Sequence, residues 1–421
     1  VNETYQPAAA REFAIEVVRK LRGAGYQALW AGGCVRDQLL GRQPKDYDVA
    51  TSARPEQVRE VFGQRKTLAI GASFGVITVL GPRHVGQLDV ATFRRDAAYS
   101  DGRHPDSVTF SDAEEDAKRR DFTINGLFFD PLAEHVIDYV GGQEDLRAGV
   151  IRAIGLARDR IAEDKLRMLR AVRFAATFGF AMEATTAAAI RAQASELVIV
   201  SAERIAAELR RMLTLERRSL ALELLRSTEL LEVILPEIRN VDQTEWERTL
   251  AIVNRLPSPT FPQSFAALLH SLSSFPAERL QLAEAIGKRL KFSSEESGHV
   301  LRLLREEPLL RTASKRTWPQ LQRLIVADDA ESVLQFATAV AHVLDGQAEE
   351  LAACRRMREL PAKLLNPAPL ISGNDLKRLG LTPGPHFREI LDQVRDAQLN
   401  SVINTTDEAL DLARMLARKL A

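Results

Sequence analysis

With 421 residues the chain exceeds what one hydrophobic core ordinarily supports, about 250–300 residues, so it must be modular. Hydrophobic residues at 45% and charged residues at 27% are globular proportions that exclude extensive disorder, and 57 Lys+Arg against 57 Asp+Glu leave any nucleic-acid binding to local basic patches. Two cysteines far apart, Cys34 and Cys354, supply neither a disulfide framework nor a zinc spacing, and the apolar runs are too short for a membrane span or a signal peptide, so the sequence reads as a non-exported protein of a reducing cytoplasm.

The periodicity of "REFAIEVVRKLRG" (11–23) predicts a helix ending on Gly23. Short segments rich in Val, Ile, Thr and Phe then read as strands: "QALWAGG", "KDYDVAT", "TLAIG", "FGVITVL", "GQLDVATF" and, near 140, "HVIDYVGG". Helices are expected between them at "CVRDQLLG" and "PEQVREVFG", which makes an α+β module with a mixed sheet ending near residue 150. The segment "RRDAAYSDGRHPDSVTFSDAEEDAK" (94–118) reads as one long polar loop, of the kind that is either disordered or functional. Beyond 150 the composition turns to Ala, Leu, Arg and Glu at helical spacing, as in "DKLRMLRAVRFAATFGF", "SAERIAAELRRMLT" and "SLALELLRSTELLEVI", and the remainder reads as all-α. "RLPSPTFPQ" and "LPAKLLNPAPLISG" mark joints, and Thr405 with Glu408 opens the last helix as a capping box.

Inside "WAGGCVRDQLLGRQPKDYDVATSA" (30–53), Asp46 and Asp48 lie two apart in a predicted strand, so both side chains face one way. Paired carboxylates suit Mg²⁺, whose hard oxygen shell is completed by water and phosphate. Gly32 and Gly33 turn the preceding strand into a helix, leaving bare backbone where a phosphate could approach, and Arg36 adds a fork of donors. All converge on one Mg-triphosphate, the setting for an in-line nucleotidyl transfer.

These residues closely resemble the signature of the class II nucleotidyltransferases: tRNA CCA-adding enzymes, their CC-adding and A-adding relatives, and bacterial poly(A) polymerases. The resemblance continues through "RRDFTINGLFFDP" (119–131), "RIAEDKLRMLRAVRFAATFGF" (160–180) and "ERIAAELRRML" (203–213), about the first half of the chain. It implies a nucleotidyltransferase head over 1–150, a helical neck over 151–220 that recognises the base, a helical body over 221–365 and a tail over 366–421 that binds tRNA. Asp46 and Asp48 would be the Mg²⁺ ligands, Gly33, Arg36 and Arg120 would contact the nucleotide, and Asp121 and Asn125 would help form the ribose and interdomain site. Asp89 in "QLDVATFRR", beside Arg94 and Arg95, is the candidate third carboxylate.

Asp164, Arg167, Arg170 and Arg173 recur every three residues and so follow a ridge along one predicted helix. A carboxylate accepting from an exocyclic amino group, beside an arginine donating to a ring nitrogen, takes cytosine or adenine and leaves buried groups unpaired against uracil or guanine. The resemblance gives that task to Asp164 and Arg167, with Arg170 and Arg173 nearby for base or phosphate and Glu163 structural. By the same resemblance, the long loop containing His104 would be the element associated with switching to A addition. The expected reaction is addition of CCA to tRNA 3′ ends from CTP and ATP, with the acceptor and TΨC arms held by the helical half. A-only addition, poly(A) synthesis and a catalytically silent RNA-binding scaffold are the other readings.

Overall fold

The computed structural model describes residues 7–96, 108–273, 275–346 and 348–420, and the chain folds as two compact units, 1–239 and 240–421. The first begins with α1 (Pro7–Gly23), β1 (Ala28–Ala31), α2 (Gly33–Leu39), β2 (Asp48–Thr51), α3 (Pro55–Phe62), β3 (Thr67–Leu68), β4 (Val76–Leu80) and β5 (Gln87–Thr92). β6 (Arg94–Asp96), β7 (Val108–Phe110), α4 (Ala113–Lys118), β8 (Leu127–Asp130) and β9 (His135–Asp138) complete the α+β part. Seven strands form one mixed sheet in the order β3-β4-β5-β2-β1-β8-β9, antiparallel throughout except where β2 runs parallel to β5.

Central β1 and β8 are buried along their whole length because both faces of the sheet are covered. On one face Leu29, Ala31, Ala50, Phe93 and Phe128 pack against Ala113 and Ala117 of α4. On the other, Trp30 lies 4.7 Å from the Tyr47 ring and 5.6 Å from that of Phe129, with the Arg11 guanidinium over it. Strands nearer the edge return to alternation: in β5, Leu88, Val90 and Thr92 are buried while Gln87 and Asp89 are exposed.

The first unit continues through α5 (Gly142–Ala148), β10 (Val150–Ile151), α6 (Ala157–Glu163), α7 (Leu166–Phe178), β11 (Ala181–Met182), α8 (Ala184–Gln193), α9 (Ala202–Leu213), α10 (Arg218–Ser227) and α11 (Leu230–Ile234). The second is helical: α12 (Gln243–Arg255), α13 (Phe261–His270), α14 (Pro276–Arg289), α15 (Ser294–Arg311), α16 (Trp318–Ile325), α17 (Ala330–Leu344), α18 (Glu349–Arg358), α19 (Ala362–Leu365), α20 (Gly373–Arg378), α21 (Pro385–Leu399) and α22 (Thr406–Leu420). The expected box opens α22, with Glu408 accepting from the Asn404 and Thr405 amides and Thr405 Oγ1 from Glu408 N.

Several expectations are corrected. Asp46 lies in a bend before β2 and not within the strand, although the exposed-buried alternation of Asp46, Tyr47, Asp48 and Val49 persists. "DFTING" forms a 3-10 turn, Thr123–Asn125, that leads into β8, where Leu127, Phe128 and Phe129 are taken by the sheet. The remainder beyond 150 is helical as expected, apart from the two-residue parallel pair β10–β11. "SLALELLRSTELLEVI" divides into α10 and α11 at Glu229, whose φ of 62° cannot continue a right-handed helix. Within the long polar insert (94–118), Arg94–Asp96 and Val108–Phe110 pair as the β6–β7 ribbon and Ala113–Lys118 forms α4, capped by Asp112, so these parts are not loop; residues 97–107 of the expected loop, with His104, lie outside the described residues.

Phe93 and Phe128 meet edge to face at 5.9 Å, both at 0% exposure. Phe128→Ala should therefore cost this unit about 3–5 kcal/mol, read as a lowered urea midpoint.

Candidate active site

The β1–α2 corner is made by Gly32, at φ 70° and ψ −121°. A Cβ there would stand 2.7 Å from Arg120 Nη1, so the missing side chain is what lets that guanidinium lie over the corner; Gly33 has ordinary clearance. Arg120 is held in place by Asp116 Oδ2, at 3.0 Å from Nη2, and by Asn125 O, and its guanidinium lies 5.1 Å from the Phe128 ring. Burial opposes ionisation of Asp116, yet Arg120 and Arg119 hold its carboxyl below the usual range.

Beside this cation stand the acids. Asp48 and Asp89 are direct register partners across the parallel β2–β5 pair, so they project from the same face, and Thr78 Oγ1 donates to Asp89 Oδ1 at 2.6 Å. The Asp48 carboxyl keeps solvent access but is partly desolvated by the surrounding strands. That desolvation, then the charges of Asp46 and Asp89, push its pKa up to about 6 against the pull of Arg120. Among the described residues no three His, Cys, Asp or Glu side chains close into a preformed metal cluster. The donor set is nevertheless of hard oxygens with uncompensated negative charge, which fits a divalent ion that keeps much of its shell for water and phosphate. Neighbouring Cys34 adds no thiolate, since burial pushes its thiol up to about 12.

A second polar cluster joins α2 to α7. Buried Asp121 accepts from Phe122 N at 2.8 Å and Asn125 Nδ2 at 2.9 Å through Oδ1, and from Arg170 Nε at 2.8 Å through Oδ2. Burial alone would raise its pKa; Arg170 and Asn125 outweigh it and hold the carboxylate ionised. Asn125 Oδ1 accepts from Arg36 Nη1 at 2.6 Å, and the Arg36 guanidinium lies 5.3 Å from Phe174 and 4.7 Å from Phe178 on α7. The fork that the sequence offered to phosphate is thus engaged by protein on the side facing α7.

The three-residue ridge is only partly helical. Asp164 is extended, at φ −142°, between α6 and α7, and Arg167, Arg170 and Arg173 follow on α7. Asp164 accepts from Leu166 N at 3.0 Å and from Arg204 Nη2 at 3.2 Å; Arg167 is bound to Arg160 O at 2.6 Å and to Glu163. Arg173 donates to Glu208 Oε2 at 2.6 Å and stacks 4.2 Å from Phe174.

Sequence reasoning missed Arg204 and Glu208, which sit one turn apart on α9 and hold Asp164 and Arg173. Glu208 was detectable: it falls in the apolar series Ile205, Leu209, Met212, where a buried carboxylate demands a cation.

A family model described as the poly A polymerase head domain matches residues 28–152, and one described as the probable RNA and SrmB-binding site of polymerase A matches residues 179–241. The CCA-adding enzyme of Lactiplantibacillus plantarum is 33% identical over 410 residues, 95% of each chain, and that of Geobacillus thermodenitrificans is 34% identical over 403 residues, 94% of this chain and 95% of its own. The crystal structure of the Bacillus stearothermophilus CCA-adding enzyme in complex with CTP superposes with a TM-score of 0.78 at 29% identity, covering 97% of this chain and 98% of the other. Head and sheet are those of a nucleotidyltransferase. The chain belongs to the family of the CCA-adding enzymes.

Glu208 and Arg173 form a largely buried pair, with side chains 4% and 14% exposed. Glu208→Ala should cost about 3–5 kcal/mol, because it strands a buried guanidinium, and Glu208→Gln should cost less; urea midpoints would rank the two. Asp48 has a folded pKa above the ordinary 3.8, so the native state holds its proton more tightly than the unfolded chain. Its contribution to stability should therefore decline as pH rises from about 4 to about 6 and level off above. Melting temperatures in metal-free buffer should show this slope in the wild type and lose it in Asp48→Asn, and divalent ions should offset it increasingly as pH rises.

Proposed function

We propose that this protein adds C, C and A to the 3′ ends of tRNA from CTP and ATP. The observation that carries the reading is the same-face pairing of Asp48 and Asp89 beside the Gly32 corner, with Arg120 lying over it. Relatives named CCA-adding enzymes at about a third identity over nearly the whole chain support the choice of reaction.

Asp46 and Asp48, with Asp89, would hold Mg²⁺, which when bound neutralises charge on the attacking hydroxyl and on the triphosphate. The tRNA 3′-oxygen forms a bond to the α-phosphorus of the nucleotide, its proton leaves, and the bond to pyrophosphate breaks. Arg120, anchored by Asp116, is placed to draw the triphosphate to the Gly32–Gly33 corner. Asp121 and Asn125 lie beside Arg120 in sequence and are fixed by Arg170 and Arg36, a rigid polar wall for the ribose.

Asp164 and Arg167 are assigned to the base. Each is oriented by a neighbour, Arg204 and Glu163 respectively, so a carboxylate acceptor and a guanidinium donor stand ready before a base arrives. Arg170 and Arg173 act behind them by fixing Asp121 and α9. Residues 1–150 would then be the catalytic head, 151–220 the neck, 221–365 the body and 366–421 the tail, the helical half holding the tRNA acceptor and TΨC arms. Buried free thiols at Cys34 and Cys354 suit a reducing cytoplasm, and no helix among the described residues is long and apolar enough to cross a membrane.

The test uses tRNA transcripts ending before CCA, after C and after CC, incubated with Mg²⁺ and each nucleoside triphosphate, with the 3′ ends sequenced. C, C and A followed by arrest is expected; A only after CC selects an A-adding enzyme, and long A tails on unrelated RNA select a polymerase. Asp46→Ala and Asp48→Ala should each lower the rate at least a thousandfold while tRNA binding persists, a loss of about 4 kcal/mol in transition-state stabilisation. Activity within tenfold of the wild type in either variant contradicts the metal assignment.

A further inference from the structure

The second unit contains a cavity of about 420 Å³ between α12, α17 and α18. Its polar lining consists of Arg255, Gln335, Thr338, His342 and Arg355, with no carboxylate among the described residues that line it. Arg255 and His342 stand in the last turns of α12 and α17, and Arg355 in the last turn of α18. Pairing with the helix dipole explains a base at each helix end. It does not require three of them to converge on one concavity.

The two arginines, the imidazole and the Gln335 amide supply donors there, while the Thr338 hydroxyl is left as an acceptor. Among the described residues neither Arg255 nor His342 is held by an ion pair or a side-chain hydrogen bond. Arg355 has only a distant counter-charge, since Glu331 stands 3.7 Å from it but 2.6 Å from Arg358. Gln335 Oε1 accepts from Gln263 Nε2 at 3.3 Å, so the amino group is the part of that amide left to donate. Thr338 gives its proton to Leu334 O. Two guanidinium forks, an imidazole and an amide NH₂ suit an oxyanion. The volume falls in the range of pockets that take a whole small ligand, roughly 300–1,000 Å³, so a phosphate with an attached sugar fits.

We propose that this cavity binds a backbone phosphodiester of the RNA substrate. The proposal rests on the tRNA reading given above and deepens it. The chain as a whole has no excess of basic residues, 57 against 57, so the attraction for a polyanion must be concentrated in places such as this one.

The test compares the wild type with Arg255→Gln, Arg355→Gln, the charge-reversed pair R255E/R355E and the charge-keeping pair R255K/R355K. The KM for tRNA lacking CCA, the KM for CTP and kcat are measured, and tRNA binding is followed from 50 to 300 mM KCl. R255E/R355E should raise the tRNA KM at least tenfold with the CTP KM and kcat within twofold of wild type. Each Arg→Gln change should lower the salt slope of tRNA binding by about one, and R255K/R355K should stay near the wild type. An unchanged tRNA KM and salt slope in R255E/R355E, with an unchanged melting temperature, overturns the proposal. So does a rise in the CTP KM alone, which would make the cavity a free-nucleotide site. If R255E/R355E does not fold, the salt slope of the single Gln variants decides in the same way. Failure of the wild type to extend any tRNA would refute the proposed reaction instead, and the binding measurements would still decide on the cavity.

Discussion

The first unit depends on one carboxylate. Asp121 is 8% exposed, in a position where an unpaired charge would have to give up its ionisation. It stays ionised because four donors converge on it: two from Arg170, one from Asn125 and the amide of Phe122. Its bonds join the turn that follows Arg120 to the helix carrying Arg167, Arg170 and Arg173. Arg36 extends the chain through Asn125 to α2, so the corner glycines and α7 share a single polar network. Buried ion pairs contribute little net stability compared with apolar packing. What this one contributes is fixed geometry between the sheet that carries the acids and the helix that carries the arginines.

The two polar clusters carry opposite electrostatic problems. Around Asp48 the negative charges exceed their compensation, and a proton or a cation relieves them. Around Asp121, Asp116 and Glu208 every carboxylate already has its guanidinium. In the proposed reaction a divalent ion would therefore be drawn to the first place and would carry the triphosphate with it, while the second, already compensated, would need no rearrangement. The division follows from position: Asp48 on β2 and Asp89 on β5 take exposed positions on one face of the sheet, whereas the acids on α4, α9 and the turn after α4 are pressed between layers.

Much of this was legible in the sequence, and for physical reasons. Strand β1 and the turn at Gly32 follow from an apolar run broken by two glycines, the common facing of Asp46 and Asp48 follows from period-two alternation, and Asp89 could be named only as a candidate on a neighbouring strand. What failed was the treatment of local periodicity as sufficient. Leu127 to Phe129 can be read as helix or strand until the sheet claims them, and Asp164 matches the three-residue spacing of its arginines while lying outside the helix. The roles of Arg36 and Arg170 were harder to see, since a guanidinium fork serves a phosphate or a carboxylate equally well. Only the position of Asp121 and Asn125, far away in sequence, decides which it meets in the folded chain.

Gly32 carries a consequence out of proportion to its size. The Arg120 guanidinium occupies the space where any other residue would put its first carbon, and that same cation is what tempers the crowding of Asp46 and Asp89 around Asp48. A methyl group at this point would strain a backbone conformation that L side chains rarely adopt, and would also push aside the guanidinium that offsets the charge of the neighbouring acids. An uncharged, chemically inert position thereby sets the ionic balance beside the paired acids.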